Sequence, residues 1–339
     1  MIMDKITGSK DLTVLALKIK EAGTIAISGH VNPDGDCVGA CLGLYTYLRE
    51  NYPEKTVDVY LEPINPKYTF LKYAPDIIHQ EAAEAAGIPE FSYDLYFCMD
   101  CSEPERLGFA RDYFENASFK VCIDHHITNK GFGDLMFIRP GESSTSEVLF
   151  SLMDYKKISM DCAEALYLGI VHDTGVFRHS NTTRKTMETA GALLDKGIRQ
   201  EMIIDDTFFR KTYVQNQILG RALLESILVM DGYVIFSVIS RKDMVFYGVD
   251  SSDLDGIVDQ LRVTAGVECA LLLYELEEQV YKVSMRSNSV IDVSKIALYF
   301  GGGGHKKAAG CTMSGKARDV INSITALIES QKLDLDREG

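Results

Sequence analysis

Residues 24–48, TIAISGHVNPDGDCVGACLGLYTYL, decide how the chain folds. An apolar, β-branched run ends at Gly29, and His30 follows at once. Pro33-Asp34-Gly35 is a turn signal, because proline presets its own torsion and Asp and Gly tolerate tight bends. A helix is expected from about Asp36. Strand, tight loop and helix in that order open a βαβ unit, with the loop at the carboxyl end of the strand. His30, Asp34 and Asp36 then face one spot. A turn with an N-cap aspartate would account for one carboxylate but leave the other and His30 without a role. Metal ligation accounts for all three.

The same arrangement recurs downstream. DLYFCMD (94–100) delivers Asp100 to a strand tip, and KVCIDHH (120–126) delivers Asp124, His125 and His126 to another. An isolated Asp after a strand is commonly a helix cap, but three ionisable residues in succession after an apolar run are costly unless something pairs with them. A fourth piece, GIVHDTGVFRH (169–179), sets Asp173 after an apolar segment and before the Thr174-Gly175 turn.

Strand-like runs (TIAISG, TVDVYLE, DLYFCMD, KVCIDHH) alternate with the helical patterns CVGACLGLYTYLREN and STSEVLFSLMDYK. Such alternation predicts an α/β fold with a doubly wound, mainly parallel sheet. From about 161 to 230 the pattern is helical, without a Gly/Ser- or Pro-rich linker. All eight prolines lie at or before Pro140, so the chain changes character near its middle. Beyond it, LVMDGYVIFSVIS, ECALLLYELEEQ and VYKVSMRS read as strands mixed with helices, a smaller α/β domain. The expected organisation is a metal-binding catalytic domain at 1–190, a helical connection at 191–228 and a substrate-binding domain at 229–339. The active site is expected in the cleft between the two domains.

The 339 residues, 46% of them hydrophobic, suffice for two cores. The N-terminus lacks a secretory h-region, and no apolar stretch approaches the roughly 18 residues that span a bilayer, so a soluble cytoplasmic protein is expected. Eight scattered cysteines fit reduced thiols, and Cys98-x-x-Cys101 reads as strand packing rather than a redox or zinc motif. A net charge of -14 argues against a long duplex gripped by a basic face. Short nucleotides remain compatible with it, since a few local cations hold them.

Five of the seven histidines, His30, His125, His126, His172 and His179, lie in the pieces that carry the aspartates. His and Asp, with no cysteine placed for a ligand role, suit an intermediate divalent ion such as manganese better than structural zinc. The donors are too many for one ion. Two ions about 3.5–4 Å apart, sharing one aspartate, would use them.

Taken in order, HVNPDGD, Asp100 with Arg106 in DCSEPERLG, the DHH triplet at 124–126 and HDTG at 172–175 resemble the four motifs of the DHH phosphoesterase superfamily. MRSNSVIDVSKIALYFGGGGHKKAAGCTM (285–313) resembles the DHH-associated domain of its NrnA-type branch, the small oligoribonucleases also called nanoRNases. The resemblance runs from about residue 10 to 330. It departs at Ala40, where serine is usual, and at His172, which is expected to tune the site.

The resemblance implies one ion on His30, Asp34 and Asp100 and a second on Asp36, Asp100, His125 and Asp173, with Asp100 bridging. Asp100, His126 and Arg106 are the implied catalytic residues, His126 touching the phosphate or protonating the leaving oxygen. Asp124 would orient a histidine or the loop. Arg286, Ser287, Gly301, Gly302, Gly303, Gly304 and His305 are the implied substrate-binding residues. Four glycines can be a mere flexible turn, yet they also let backbone N–H groups approach a phosphate, with Lys306 and Lys307 adding positive charge.

The implied activity is manganese-dependent hydrolysis of short RNA to mononucleotides, with dephosphorylation of 3′-phosphoadenosine 5′-phosphate. The alternative is a phosphodiesterase for linear dinucleotides such as pApA. A non-catalytic nucleotide sensor would have lost ligands, and none is missing here. The partners expected are short single-stranded RNA, dinucleotides or an adenosine bisphosphate, with no membrane. An exposed sheet edge could support a homodimer.

Overall fold

A computed structural model describes residues 10–86 and 92–338. Residues 1–9, where the stretch examined for a secretory leader begins, lie outside that range. The chain divides into two compact units, Met1–Arg210 and Lys211–Gly339. The division falls inside the stretch 191–228 expected to connect the domains.

In the first unit, α1 (Lys10–Glu21) leads to β1 (Thr24–Ser28), α2 (Gly35–Asn51), β2 (Thr56–Tyr60), β3 (Ile77–Ile78) and α3 (Gln80–Ala86). There follow β4 (Leu95–Met99), α4 (Arg111–Asn116), β5 (Lys120–Asp124) and β6 (Leu135–Ile138). Four helices complete it, α5 (Thr145–Leu152), α6 (Met160–Asp173), α7 (Arg184–Leu194) and α8 (Gln200–Ile204). The six strands are ordered β3-β2-β1-β4-β5-β6, and every pairing is parallel. β4 is buried at all five positions, which is why LYFCM reads as a continuous apolar run instead of alternating. Cys98 and Cys101 are fully buried in an aromatic cluster with Tyr60, Tyr93, Tyr96 and Phe114, as packing residues.

This strand order reverses direction between β1 and β4, the two strands that end at His30 and Asp100. Open parallel sheets bind ligands outside the carboxyl ends of the strands at such a reversal, because the loops there diverge to opposite faces. The site expected from the motifs therefore lies where topology leaves room for one.

Two helices frame it through close contact. α2 and α6 pack tightly, and a Cβ on Gly39 would stand 2.5 Å from the Ala165 carbonyl oxygen. A Cβ on Gly169 would meet Ser146 Oγ at 2.0 Å and Asp36 Oδ1 at 2.4 Å. Only glycine lets α6 approach the α2–α5 junction so closely.

The second unit contains α9 (Tyr213–Leu224), β7 (Ile227–Val229), β8 (Val234–Ile239), α10 (Arg241–Tyr247), α11 (Ile257–Arg262) and β9 (Cys269–Glu277). β10 (Val280–Ser287), α12 (Val293–Tyr299), β11 (Gly303–His305), β12 (Ala308–Ser314) and α13 (Ala317–Glu338) follow. Its sheet runs β11-β12-β10-β9-β8-β7, antiparallel except for the β8–β9 pair. The glycine run expected as a loop is half strand: Gly303 and Gly304 pair with Gly310 and Ala309 in a hairpin whose turn is Lys306-Lys307. No helix among the described residues is long and apolar enough to cross a membrane.

Candidate metal centre

Each strand of the reversal delivers its side chain by a different local device. After β1, Asp34 caps α2, its Oδ1 accepting the N–H groups of Asp36 and Cys37, both at 3.1 Å. That fixes the first turn of α2 and buries Asp36 completely. After β4, Asp100 adopts a left-handed backbone with φ 54°. For a non-glycine residue this costs on the order of 1–3 kcal/mol, strain of the kind that persists at functional sites. Its carboxylate is thereby held almost fully buried, 1% exposed.

Asp100 stands at the centre of the cluster. Its Oδ2 lies 3.5 Å from His30 Nε2, and its Oδ1 lies 3.8 Å from His125 Nε2 and 3.6 Å from His126 Nδ1. His30 Nε2 is also 3.8 Å from Asp34, and His125 Nε2 is 2.9 Å from Asp173. All six residues expected as ligands, His30, Asp34, Asp36, Asp100, His125 and Asp173, thus converge on one region.

Three groups bring their donor atoms within 4.8 Å of one another, close enough to hold an ion: His30–Cys37–Asp100, Asp100–His125–His126 and Asp36–His125–Asp173. Cys37, a thiol that burial pushes well above its usual range, lies near His30 and Asp100 among these atoms. It was hidden because the motif spacing draws attention to its acidic neighbours.

The electrostatics are those of a site short of positive charge. Burial, then the neighbouring Asp100 and Asp173 charges, push the Asp36 carboxyl well above its usual range, and burial also raises Asp173. Burial alone would lower the histidines, but hydrogen bonds to Asp100 and Asp34 push His30 up to about 12. Asp173 and Asp36 push His125 up to about 10 in the same way. Carboxylates that resist ionising beside imidazoles that hold their protons fit a divalent ion, whose charge would replace those protons.

Supporting residues that motif spacing could not reveal come from α5. The Thr145 and Ser146 N–H groups donate to the two oxygens of Asp36 at 2.6 and 3.0 Å, placing that carboxylate on the helix N-terminus. The Thr145 hydroxyl donates to Asp100 Oδ1 at 2.8 Å. Ser144-x-x-Glu147 does signal a helix start in the sequence. Its target, 109 residues away, is visible only in the fold.

Asp124 binds the loop and the second histidine: it accepts the N–H of His125 and His126, His126 Nδ1 at 2.8 Å, and Asn129 Nδ2 at 2.6 Å. The bond to Asp124 raises the His126 pKa. Burial lowers that of His172 to about 4; its ring lies 3.0 Å from the Thr207 hydroxyl. The Arg106 carbonyl accepts the Val31 N–H at 2.7 Å, tying the loops after β1 and β4 together.

In the second unit, Arg286 on β10 and His305 on β11 both pair with Ala308 on β12. Directly paired residues share a sheet face, so both side chains flank a small alanine. Arg286 Nε lies 3.2 Å from Asp259. Ser287 is buried, its hydroxyl donating to the Ile291 carbonyl at 2.8 Å. Gly301 and Gly304 have φ of 74° and 140°, and His305 is exposed.

Residues 24–170 match the DHH family, N-terminal domain, and residues 231–331 match the DHHA1 domain. A Thermus thermophilus protein named bifunctional oligoribonuclease and PAP phosphatase NrnA is 30% identical over 322 residues, 94% of this chain and 92% of that protein. The chain belongs to the DHH family. A Bacillus subtilis protein of the same name is 28% identical over 89% of this chain and 93% of its own length. An exopolyphosphatase-related protein from Bacteroides fragilis, known from its crystal structure, shares the fold with a TM-score of 0.85 at 25% identity. It covers 95% of this chain and 97% of its own. As a DHH-family protein the chain is a phosphoester-hydrolysing enzyme, and its acidic and histidine groups are positioned for metal binding.

Proposed function

We propose that the chain is a two-metal phosphoesterase that degrades RNA fragments of a few nucleotides to mononucleotides and also dephosphorylates 3′-phosphoadenosine 5′-phosphate. The observation that carries this is Asp100, which turns one carboxylate oxygen toward His30 and the other toward His125. That disposition lets one carboxylate serve two ions. The names of the Thermus and Bacillus relatives support the substrate class.

His30, Asp34 and Asp100 would hold one ion, and Asp36, Asp100, His125 and Asp173 the other, with manganese as the ion. When bound, such ions supply Lewis acidity against phosphoryl charge and lower the pKa of water. Thr145 and Ser146 keep Asp36 and Asp100 in place. Asp124 holds His126 by Nδ1 and favours its protonated form, so His126 can pass a proton from Nε2 to the leaving oxygen. Arg106 takes up phosphate charge.

In the DHHA1 unit, Arg286, His305 and the backbone of Gly301, Gly302, Gly303 and Gly304 bind the nucleotide, with Ser287 holding the segment beside them. The formal charge of -14 restricts the partner to short single strands. The proposed location is the cytoplasm.

A manganese-supplemented time course on 5′-labelled RNA of two, five and twenty-four nucleotides, with the adenosine bisphosphate and pApA alongside, tests this. Decay of the short RNAs with the long one spared, and phosphate release from the bisphosphate, are expected. Consumption of pApA alone would replace the proposal with a dinucleotide-specific phosphodiesterase.

A further inference from the structure

Arg286 stands near the end of β10, and the backbone beyond it is held from two sides. Glu268, 6% exposed, accepts the N–H groups of Ser289, Val290 and Ile291 at 3.0, 2.7 and 3.0 Å. Asn288 donates from Nδ2 to the carbonyls of Arg262 and Val267 at 3.0 and 2.7 Å. With the main chain fixed, the direction of the guanidinium is what remains variable. Asp259, on α11, sets it: Oδ1 accepts the Nε–H of Arg286 at 3.2 Å, while the Met285 carbonyl accepts an Nη1–H at 3.2 Å. Nη2 has no hydrogen-bond partner among the described residues. Asp259 is steadied in turn by Arg262, whose Nε lies 3.7 Å from the same oxygen and whose Nη1 donates to Asn288 Oδ1 at 2.7 Å.

Resting on the reading of Arg286 as a nucleotide-binding residue, we propose that Asp259 is its positioning residue: by holding Nε, it presents Nη2 to the nucleotide phosphate. An arginine loses rotamer freedom when it grips an anion, and one already fixed through its planar fork loses less. The simpler role of Asp259 is a surface ion pair that steadies the fold. The Arg286 and Asp259 side chains are 30% and 42% exposed, and pairs this exposed add little to stability. The contact therefore acts on binding. Asp259 also sets a negative charge beside the bound anion, so losing the charge alone should not weaken binding, whereas losing the acceptor should.

Steady-state kinetics of the full-length, manganese-supplemented protein on a five-nucleotide RNA and on a small artificial phosphodiester test this. The variants are Asp259→Ala, Asp259→Asn, Arg286→Ala and the double variant Asp259→Ala with Arg286→Ala. Asp259→Ala should raise KM for the RNA roughly 2- to 140-fold, the range for neighbours coupled in one hydrogen-bonded network. Its kcat, its hydrolysis of the artificial phosphodiester and its Tm should stay close to those of the wild type. Asp259→Asn keeps an oxygen for the Nε–H and should restore the wild-type KM or a lower one. The double variant should show the KM of Arg286→Ala alone. An unchanged KM in Asp259→Ala, an equal rise in Asp259→Asn, or losses that multiply in the double variant would overturn the assignment while leaving Arg286 its role. If Arg286→Ala itself leaves KM for the RNA unchanged, the nucleotide-binding reading falls, and this inference with it.

Discussion

Gly169→Ala isolates the contact between α6 and the metal centre. The added methyl would lie 2.0 Å from Ser146 Oγ and 2.4 Å from Asp36 Oδ1, so the helix or the carboxylate must move. Alanine gains about 1 kcal/mol of helix propensity over glycine. Overpacking of a filled interior costs about 1–3 kcal/mol, and two contacts this short belong at the upper end. The net loss is about 1–2 kcal/mol, which lowers Tm by about 2–8 °C for a unit of this size. Activity should suffer more, since about 1 Å of displacement in a reacting group costs on the order of 100-fold. Gly191→Ala in α7 is the counterpart: nothing lies within 4 Å of its added Cβ, so the same propensity gain should raise Tm. Differential scanning calorimetry and steady-state kinetics on both variants decide it. Gly169→Ala as stable and active as the wild type would refute the close-approach argument.

Asp100→Ala should abolish hydrolysis of every substrate, and turnover above a trace would sink the shared-carboxylate assignment. Arg286→Ala should raise KM for nucleotide substrates while sparing slow hydrolysis of a small artificial phosphodiester; equal loss on both would put Arg286 in the chemistry. Manganese added to chelator-stripped protein at about one hundred times its Kd should contribute about 2.7 kcal/mol per site. A melting temperature indifferent to manganese would contradict the charge-deficient site inferred from Asp36 and Asp173.

What the sequence discloses is the set of residues whose position follows from strand ends. A histidine or aspartate directly after an apolar run emerges at the carboxyl end of a strand, so His30, Asp100 and His125 are legible without coordinates. The parallel sheet is legible from the alternation of strand and helix patterns along the chain. Residues that act through tertiary approach are not. Thr145 and Ser146 reach Asp36 only because α5 points its N-terminus at α2, and Gly169 matters only because α6 crosses there. Cys37 looks like one more apolar residue on α2 until the fold turns it toward His30 and Asp100. The glycine run is misleading in the other direction: glycine has no preference for strands, yet pairing with β12 makes Gly303 and Gly304 part of a sheet.

The most direct test of two ions sharing Asp100 is a crystal of the manganese-loaded protein measured at the manganese absorption edge. Two anomalous peaks about 3.5–4 Å apart, one on each side of the Asp100 carboxylate, are expected. A single peak, or a pair that does not touch Asp100, would contradict the account.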